Sequence, residues 1–74
     1  MRTVVNATPI VNGKVIPLTH STNTIKGDEY SRSELIALIG LTVMEAVDKA
    51  RRWEYHMADP NAFIRVEIKE HYTG

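Results

Sequence analysis

A long amphipathic segment between residues 31 and 59 constrains the fold more than any other part of this sequence. Ser31 and Glu34 are spaced as a capping box, in which each side chain can satisfy a free backbone N–H of the first helical turn. At the far end, Asp59 precedes Pro60, and the residue before a proline is pushed out of the α-helical region. We therefore predict one helix over residues 31–57, against which the rest of the chain must pack.

This helix is apolar on two sides in its first half and on one side in its second half. One stripe should cover a sheet, and its members are Leu35, Ile36, Ile39, Val43, Ala46, Val47, Ala50, Trp53 and Met57. The opposite side of the first half carries Ala37, Leu38, Leu41 and Met44, with Gly40 among them. A mid-helix glycine costs about 1 kcal/mol relative to alanine, and close approach of another backbone would compensate for that cost. The second apolar side therefore predicts association with a partner.

A β-hairpin is predicted before the helix. Asn12-Gly13 favours a two-residue turn, since both residue types accept positive φ angles. The turn pairs a strand over residues 3–11 with a return strand over residues 14–19. One face then carries the candidate core residues Val5, Ala7, Pro9, Val11, Ile16 and Leu18. The missing N–H of Pro17 points away from the first strand, so the return strand should be an edge. The polar residues 20–29 are interpreted as a loop.

The chain after the helix alternates with the period of a strand. Ala62, Ile64, Val66 and Ile68 share one face, and Phe63, Arg65, Glu67, Lys69 and His71 share the other. If the return strand is an edge, this last strand pairs with the first strand, antiparallel to it. The sequence thus predicts a single α+β domain over residues 1–74. It has a three-stranded antiparallel sheet, in β-β-α-β order with strand order 2-1-3, and one long helix packed across one face.

Size and composition narrow the function classes. A chain of 74 residues buries only about 60% of its unfolded surface, so small domains usually need a disulfide, a metal or a second subunit. The chain has no cysteine, which excludes disulfides and thiolate zinc sites and leaves oligomerisation. Nine basic and nine acidic residues balance, which argues against a general nucleic-acid binder.

Membrane insertion and export are not expected either. Asn6, Thr8 and Pro9 interrupt any signal-peptide core near the N-terminus. The apolar run over residues 35–44 is far too short to span a bilayer. We therefore expect a soluble, cytoplasmic protein with no membrane contact.

The sequence offers no pattern for catalysis, a cofactor or a metal. His20, His56 and His71 lack the i, i+4 spacing of a helical metal site. The serines have no glycine elbow, and Lys26-Gly27-Asp28 is too short for a phosphate-binding loop. No catalytic, cofactor-binding or metal-ligating residue is therefore predicted, and we do not expect an enzyme.

The leading hypothesis is a small protein that works by protein–protein association, as a binding, inhibitory or regulatory module and as a homodimer. Its predicted contact residues are Ala37, Leu38, Gly40, Leu41 and Met44 on the helix, and Phe63, Arg65, Glu67 and Lys69 on the last strand. We favour a second copy on the helix residues, and another protein partner stays open. Small cysteine-free β-β-α-β chains recur among inhibitors and regulators of phages and mobile elements, an analogy at the level of fold alone.

Two alternatives remain open. The first is a nucleic-acid-binding regulator, in which basic and aromatic side chains contact phosphates and bases; its residues would be Lys26, Arg51, Arg52 and Tyr55. The second is an accessory subunit of an enzyme, whose site is completed only at an interface between subunits.

Overall fold

A central strand organises the fold. The computed structural model describes residues 2–27, 29–53 and 60–71. These residues form β1 (Arg2–Val11), β2 (Lys14–Val15), β3 (Ser21–Lys26), α1 (Arg32–Arg52) and β4 (Ala62–His71). Every strand pairing among them is antiparallel and involves β1, with β4 along one side and β2 followed by β3 along the other. The predicted α+β class, the central first strand and the antiparallel last strand are confirmed.

The β1–β2 turn forms as predicted. Asn12 and Gly13 have φ angles of 53° and 76°, the two positive values that a type I′ turn requires. Val11 pairs with Lys14, and Ile10 with Val15.

The predicted return strand is wrong beyond Ile16, whose N–H still donates to the carbonyl oxygen of Pro9 at 3.3 Å, as the predicted pairing requires. The strand pairings leave only Thr8 and Pro9 of β1 opposite the five residues 16–20. The chain therefore bulges away from β1 and pairs with it again from Ser21, which lies opposite Ala7. Leu18, which the hairpin pattern assigned to the core opposite Ala7, is instead 74% exposed. The rejoined segment is β3, so residues 21–26 are a strand and not the predicted loop. Two sheet segments therefore lie along the same side of β1.

The outward excursion has a local cause. Pro17 and Leu18 form a turn in which Leu18 has a φ of 65°, a left-handed conformation that is uncommon for a bulky residue. The hydroxyl of Thr19 donates to the carbonyl oxygen of Ile16 at 2.8 Å and closes the turn. Ile16 and Thr19 are buried while Pro17 and Leu18 are exposed.

Hydrogen bonds hold α1 against β3. The side-chain amide of Asn23 donates to Thr42 Oγ1 at 2.9 Å and to Glu45 Oε1 at 2.6 Å. One turn further on, Lys49 Nζ donates to the carbonyl oxygen of His20 at 3.0 Å. Because α1 is held on this side, it lies over β1 and β3 and reaches β4 only weakly.

Small side chains make the contact between the helix and the sheet. The helix buries Thr42, Ala46 and Ala50, and β1 presents Val5 and Ala7 with no exposed surface. The largest fully buried side chains among the described residues are Val5, Thr3, Thr19, Thr42 and Pro9. The helix can therefore approach the sheet closely. Its larger apolar residues are only half-buried or exposed, the half-buried ones being Leu35, Leu38, Ile39, Val43 and Val47.

The helix begins as predicted. The N–H of Glu34 donates to Ser31 Oγ at 3.1 Å, while the Ser31 hydroxyl donates to Glu34 Oε1 at 3.3 Å. The helix ends at Arg52, where the N–H of Trp53 donates to the carbonyl oxygen of Ala50 at 3.0 Å. The predicted end at Met57 lies outside the described residues, among which the helix extends to Arg52. Trp53 and Ile36, assigned to the sheet-facing stripe, are both more than half exposed.

Replacing Asn23 tests the link between α1 and β3. We expect Asn23→Ala to lower the free energy of unfolding by about 1–3 kcal/mol, since two part-buried acceptors lose their donor. Urea denaturation followed by circular dichroism measures the change. Thr24→Ala, at an exposed position of the same strand, is the matched control. Equal losses in the two variants would contradict this role for Asn23.

Candidate protein-interaction surface

The side of α1 turned away from the sheet is apolar in its first half. At 100° per residue this side lies opposite the buried Thr42 and Ala46. Leu41 is 54% exposed and Met44 is 57% exposed. Ala37 and Gly40 are also exposed. We call these four residues the outer patch: Ala37, Gly40, Leu41 and Met44.

Leu38 does not share the exposure of the outer patch. It is half-buried, and its carbonyl oxygen accepts the hydroxyl of Thr42 at 2.6 Å. Since Thr42 also contacts Asn23 of β3, Leu38 lies on the flank of the helix that leans towards β3. The sequence interpretation placed Leu38 opposite the sheet because it assumed that the stripe beginning at Leu35 and Ile36 faced the sheet centrally.

A second apolar surface lies beside β4. Val66 and Ile68 pair with Ala7 and Val5 of β1, so they share the helix-side face of the sheet with two fully buried residues. Nevertheless Val66 is 39% exposed and Ile68 is 47% exposed. The displacement of α1 towards β3 explains this, because the helix leaves the near face of β4 uncovered.

Ile36 is exposed on the flank of α1 that faces away from β3. Thr42, Glu45 and Lys49 lie on the flank of α1 that contacts β3, and Ile36 lies on the opposite flank at 100° per residue. Ile36 is 60% exposed. We call the surface formed by Val66 and Ile68 the β4 groove.

The far face of β4 carries the predicted strand residues. Phe63, Arg65, Glu67 and Lys69 pair with the even-numbered residues of β1 and lie on the face away from the helix. Arg65 Nε is 3.3 Å from Glu67 Oε1, and Lys69 Nζ is 3.9 Å from Glu67 Oε2. Half-exposed ion pairs of this kind contribute about 0–1 kcal/mol, so their position along the strand matters more than their strength.

An apolar cleft lies at the C-terminal end of the helix. Ile16, Pro17, Leu18 and Trp53 line a volume of about 170 Å³. Pockets for small molecules usually measure about 300–1,000 Å³. The cleft therefore adds exposed apolar surface without reaching the size of a typical ligand site.

The residues of the nucleic-acid alternative do not come together. Lys26 is opposite Arg2 on the sheet face away from the helix. Because His20 contacts Lys49 and Asn23 contacts Thr42, β3 and α1 run in opposite directions, and Lys26 lies towards the start of the helix. Arg51 and Arg52 are in its last turn. Tyr55 lies outside the described residues.

Within residues 2–27, 29–53 and 60–71, no three histidine, aspartate or glutamate side chains are grouped so that they could hold a metal ion. The one helix described there is not long and apolar enough to cross a membrane.

Known proteins offer no guide to the role of these surfaces. Comparisons with protein-family models, with curated proteins and with solved structures find no match for this chain. The function is therefore inferred from the exposed surfaces of the described residues.

Sequence reasoning missed the β4 groove because it missed β3. With β2 as the only second strand, a helix centred over β1 would cover Val66 and Ile68. The signal that could have found β3 is the alternation over residues 21–26, where Thr22 and Thr24 share one face and Asn23 and Ile25 the other. No comparable signal predicts the exposure of Leu18, because a leucine with a positive φ angle is uncommon.

Leu18 offers a test of the turn. A left-handed conformation costs an ordinary residue about 1–2 kcal/mol, and glycine avoids this cost at about 0.5–1 kcal/mol of extra chain entropy. We therefore expect Leu18→Gly to preserve or slightly raise the free energy of unfolding. Leu18→Val should lower it by about 1 kcal/mol, since β-branched residues tolerate positive φ least. Urea denaturation measures the free energy of unfolding of both variants. A Leu18→Gly variant less stable than the unsubstituted chain would contradict the turn geometry.

Proposed function

We propose that this protein acts by protein–protein association, without catalysis of its own, and that its working form is a homodimer. Association is supported by the exposure of Ile36, Leu41 and Met44, each more than half exposed on one helix, and the homodimer by the partial exposure of Val66 and Ile68 on β4. Full burial of such a side chain stabilises by about 1.5–3 kcal/mol, so roughly 1 kcal/mol remains to be gained at each position on binding.

The distribution of residue sizes supports this proposal. The fully buried residues of the helix are threonine and alanine, whereas Ile36, Leu41, Met44 and the adjoining Trp53 are each more than half exposed. A protein whose stability depended only on its own fold would gain more by burying the larger side chains. A surface that is apolar over several neighbouring residues is typical of a contact with another macromolecule.

The spacing of the outer patch indicates the kind of partner. Ala37, Gly40, Leu41 and Met44 occupy positions i, i+3, i+4 and i+7, the anchors with which a helix binds an apolar groove of another protein. Glu34 lies before these anchors, and Lys49, Arg51 and Arg52 follow them. We propose that the partner of the outer patch is a different protein with an apolar groove, which this chain occupies as a binding, inhibitory or regulatory module.

Gly40 supports a close contact at the outer patch. A Cβ atom at this position would meet nothing within 4 Å, so packing within this chain does not require glycine there. Alanine would favour the helix by about 1 kcal/mol. Close approach of a partner backbone accounts for glycine at this position.

Gly40→Ala should therefore separate folding from binding. We expect the free energy of unfolding to rise by about 0.5–1 kcal/mol while affinity for the partner of the outer patch falls. Urea denaturation measures the first quantity, and titration of the purified partner measures the second. Ser33→Ala, at an exposed helical position outside the patch, controls for helix propensity. Unchanged affinity in Gly40→Ala would contradict the close contact.

The partner can be sought with a photo-crosslinking amino acid at position 44, with position 24 as the control on the opposite face of the sheet. We expect a discrete adduct from position 44 only. The purified partner should then bind Leu41→Asp about tenfold or more weakly than the unsubstituted chain, since a charge would enter an apolar contact. Equal binding by Leu41→Asp, with the fold intact by circular dichroism, would contradict the role of the outer patch.

Sedimentation equilibrium tests the homodimer. We expect a mass twice the 8.4 kDa of one chain at micromolar concentrations. A monomer at high micromolar concentration would contradict the homodimer and leave the outer patch to be tested separately.

A further inference from the structure

The free edge of β4 has the features of a self-pairing strand. Among the described residues, this ten-residue strand pairs with β1 alone. A long edge strand offers a row of backbone donors and acceptors to another strand. In this chain the row lies beside the β4 groove, where Val66 and Ile68 are partly uncovered.

The backbone groups that face this edge follow from the ladder. The carbonyl oxygen of Pro9 accepts the N–H of Ile16 at 3.3 Å, so the backbone of Pro9 faces away from β4. Pro9 is opposite Ile64, and in an antiparallel ladder such a pair is not hydrogen-bonded, so the N–H and C=O of Ile64 also point away from β1. Because this orientation repeats every two residues along a strand, the N–H and C=O groups of Val66 and Ile68 point to the same free edge.

We infer that two copies of this chain pair along β4, antiparallel, with Val66 of each copy opposite Val66 of the other. The inference rests on the proposed homodimer and specifies where its two copies meet. The hydrogen-bonded positions then set Ile64 opposite Ile68 of the second copy. The sheets of the two copies then form one continuous sheet.

Charge selects this register. On the far face, Arg65 lies opposite Glu67 of the second copy, and Phe63 lies opposite Lys69 of the second copy. Both of these cross-strand pairs are favourable, the first between opposite charges and the second between a cation and an aromatic ring. Each occurs twice, because the interface is two-fold symmetric.

Neighbouring registers are unfavourable. Strands can slip only by two residues without placing apolar side chains opposite charged ones. A slip of two residues in one direction sets Arg65 opposite Arg65 of the second copy, and in the other direction it sets Glu67 opposite Glu67 of the second copy. The alternation of charge along β4 therefore both permits one pairing and opposes the adjacent ones.

The pairing also covers the exposed apolar surface of β4. It brings Ile64, Val66 and Ile68 of the two copies together on the helix side of the sheet. The outer patch stays open in this arrangement, so a different protein can occupy it. The sequence hypothesis had put the second copy on the helix, and the strand register puts it on β4.

A charge exchange tests the register, with dimerisation followed by sedimentation velocity over a concentration series and folding by circular dichroism. Arg65→Glu alone sets carboxylates opposite each other, and Glu67→Arg alone sets guanidinium groups opposite each other. We expect each single variant to raise the dimer Kd by about tenfold or more, and the double variant to restore it, because the opposite charges meet again in reversed order.

Every outcome of this experiment decides between the models. A double variant as weak as the single variants would overturn the β4 register. Dimers that dissociate with Leu41→Asp but not with the charge exchanges would place the second copy on the helix, leaving the proposed homodimer intact. A monomeric unsubstituted chain would remove the homodimer itself.

A crosslinking measurement checks the two-fold axis without changing any charge. Because the chain has no cysteine, Val66→Cys provides a single reactive position. We expect a short bis-maleimide to link two copies efficiently through position 66 and poorly in the control Thr24→Cys, on the strand at the other side of β1. Equal yields from the two variants would overturn the inference.

Discussion

The close packing of α1 on β1 and β3 is the contact on which the rest of the structure depends. Thr42, Ala46 and Ala50 are small enough to let the helix approach the sheet, and the amide of Asn23 bonds to Thr42 and Glu45 at the side of that contact. Small side chains supply little apolar area, so this core contributes less than a core of leucine and phenylalanine would. The hydrogen bonds donated by Asn23 join the helix to β3, on the side of β1 away from β4.

The surfaces open to partners follow from this placement. Because the helix is held towards β3, it leaves Val66 and Ile68 of β4 partly uncovered, while its own Ile36, Leu41 and Met44 are also exposed. The outer patch and the β4 groove therefore have one origin, although we propose different occupants for them. A short chain buries only part of its apolar surface in its own core, and we propose that association buries more of it.

Local signals predicted the parts of the fold that depend on neighbouring residues. Asn12-Gly13 specified the hairpin turn and its first two pairs, and Ser31 specified the start of the helix. The alternation after residue 61 assigned the faces of β4 correctly. Prediction failed at Leu18 and at residues 21–26, where three extra residues shift the register of the second strand, and that shift is set by packing and turn closure. Of the five helix residues predicted to contact a partner, Leu38 alone is half-buried. Ile36, which the sequence assigned to the sheet-facing stripe, is exposed.

The sequence by itself determined that this chain has a hairpin, one helix and a final strand, and that the helix carries more apolar residues than one sheet contact can use. These properties follow from turn chemistry, capping and periodicity, all of which act within a few residues. Only the tertiary structure decided which apolar residues remain exposed, because that depends on where the helix crosses the sheet. Asn23 and the small residues of α1 fix where the helix crosses the sheet. They are far along the chain from β4, the strand that the helix leaves partly uncovered.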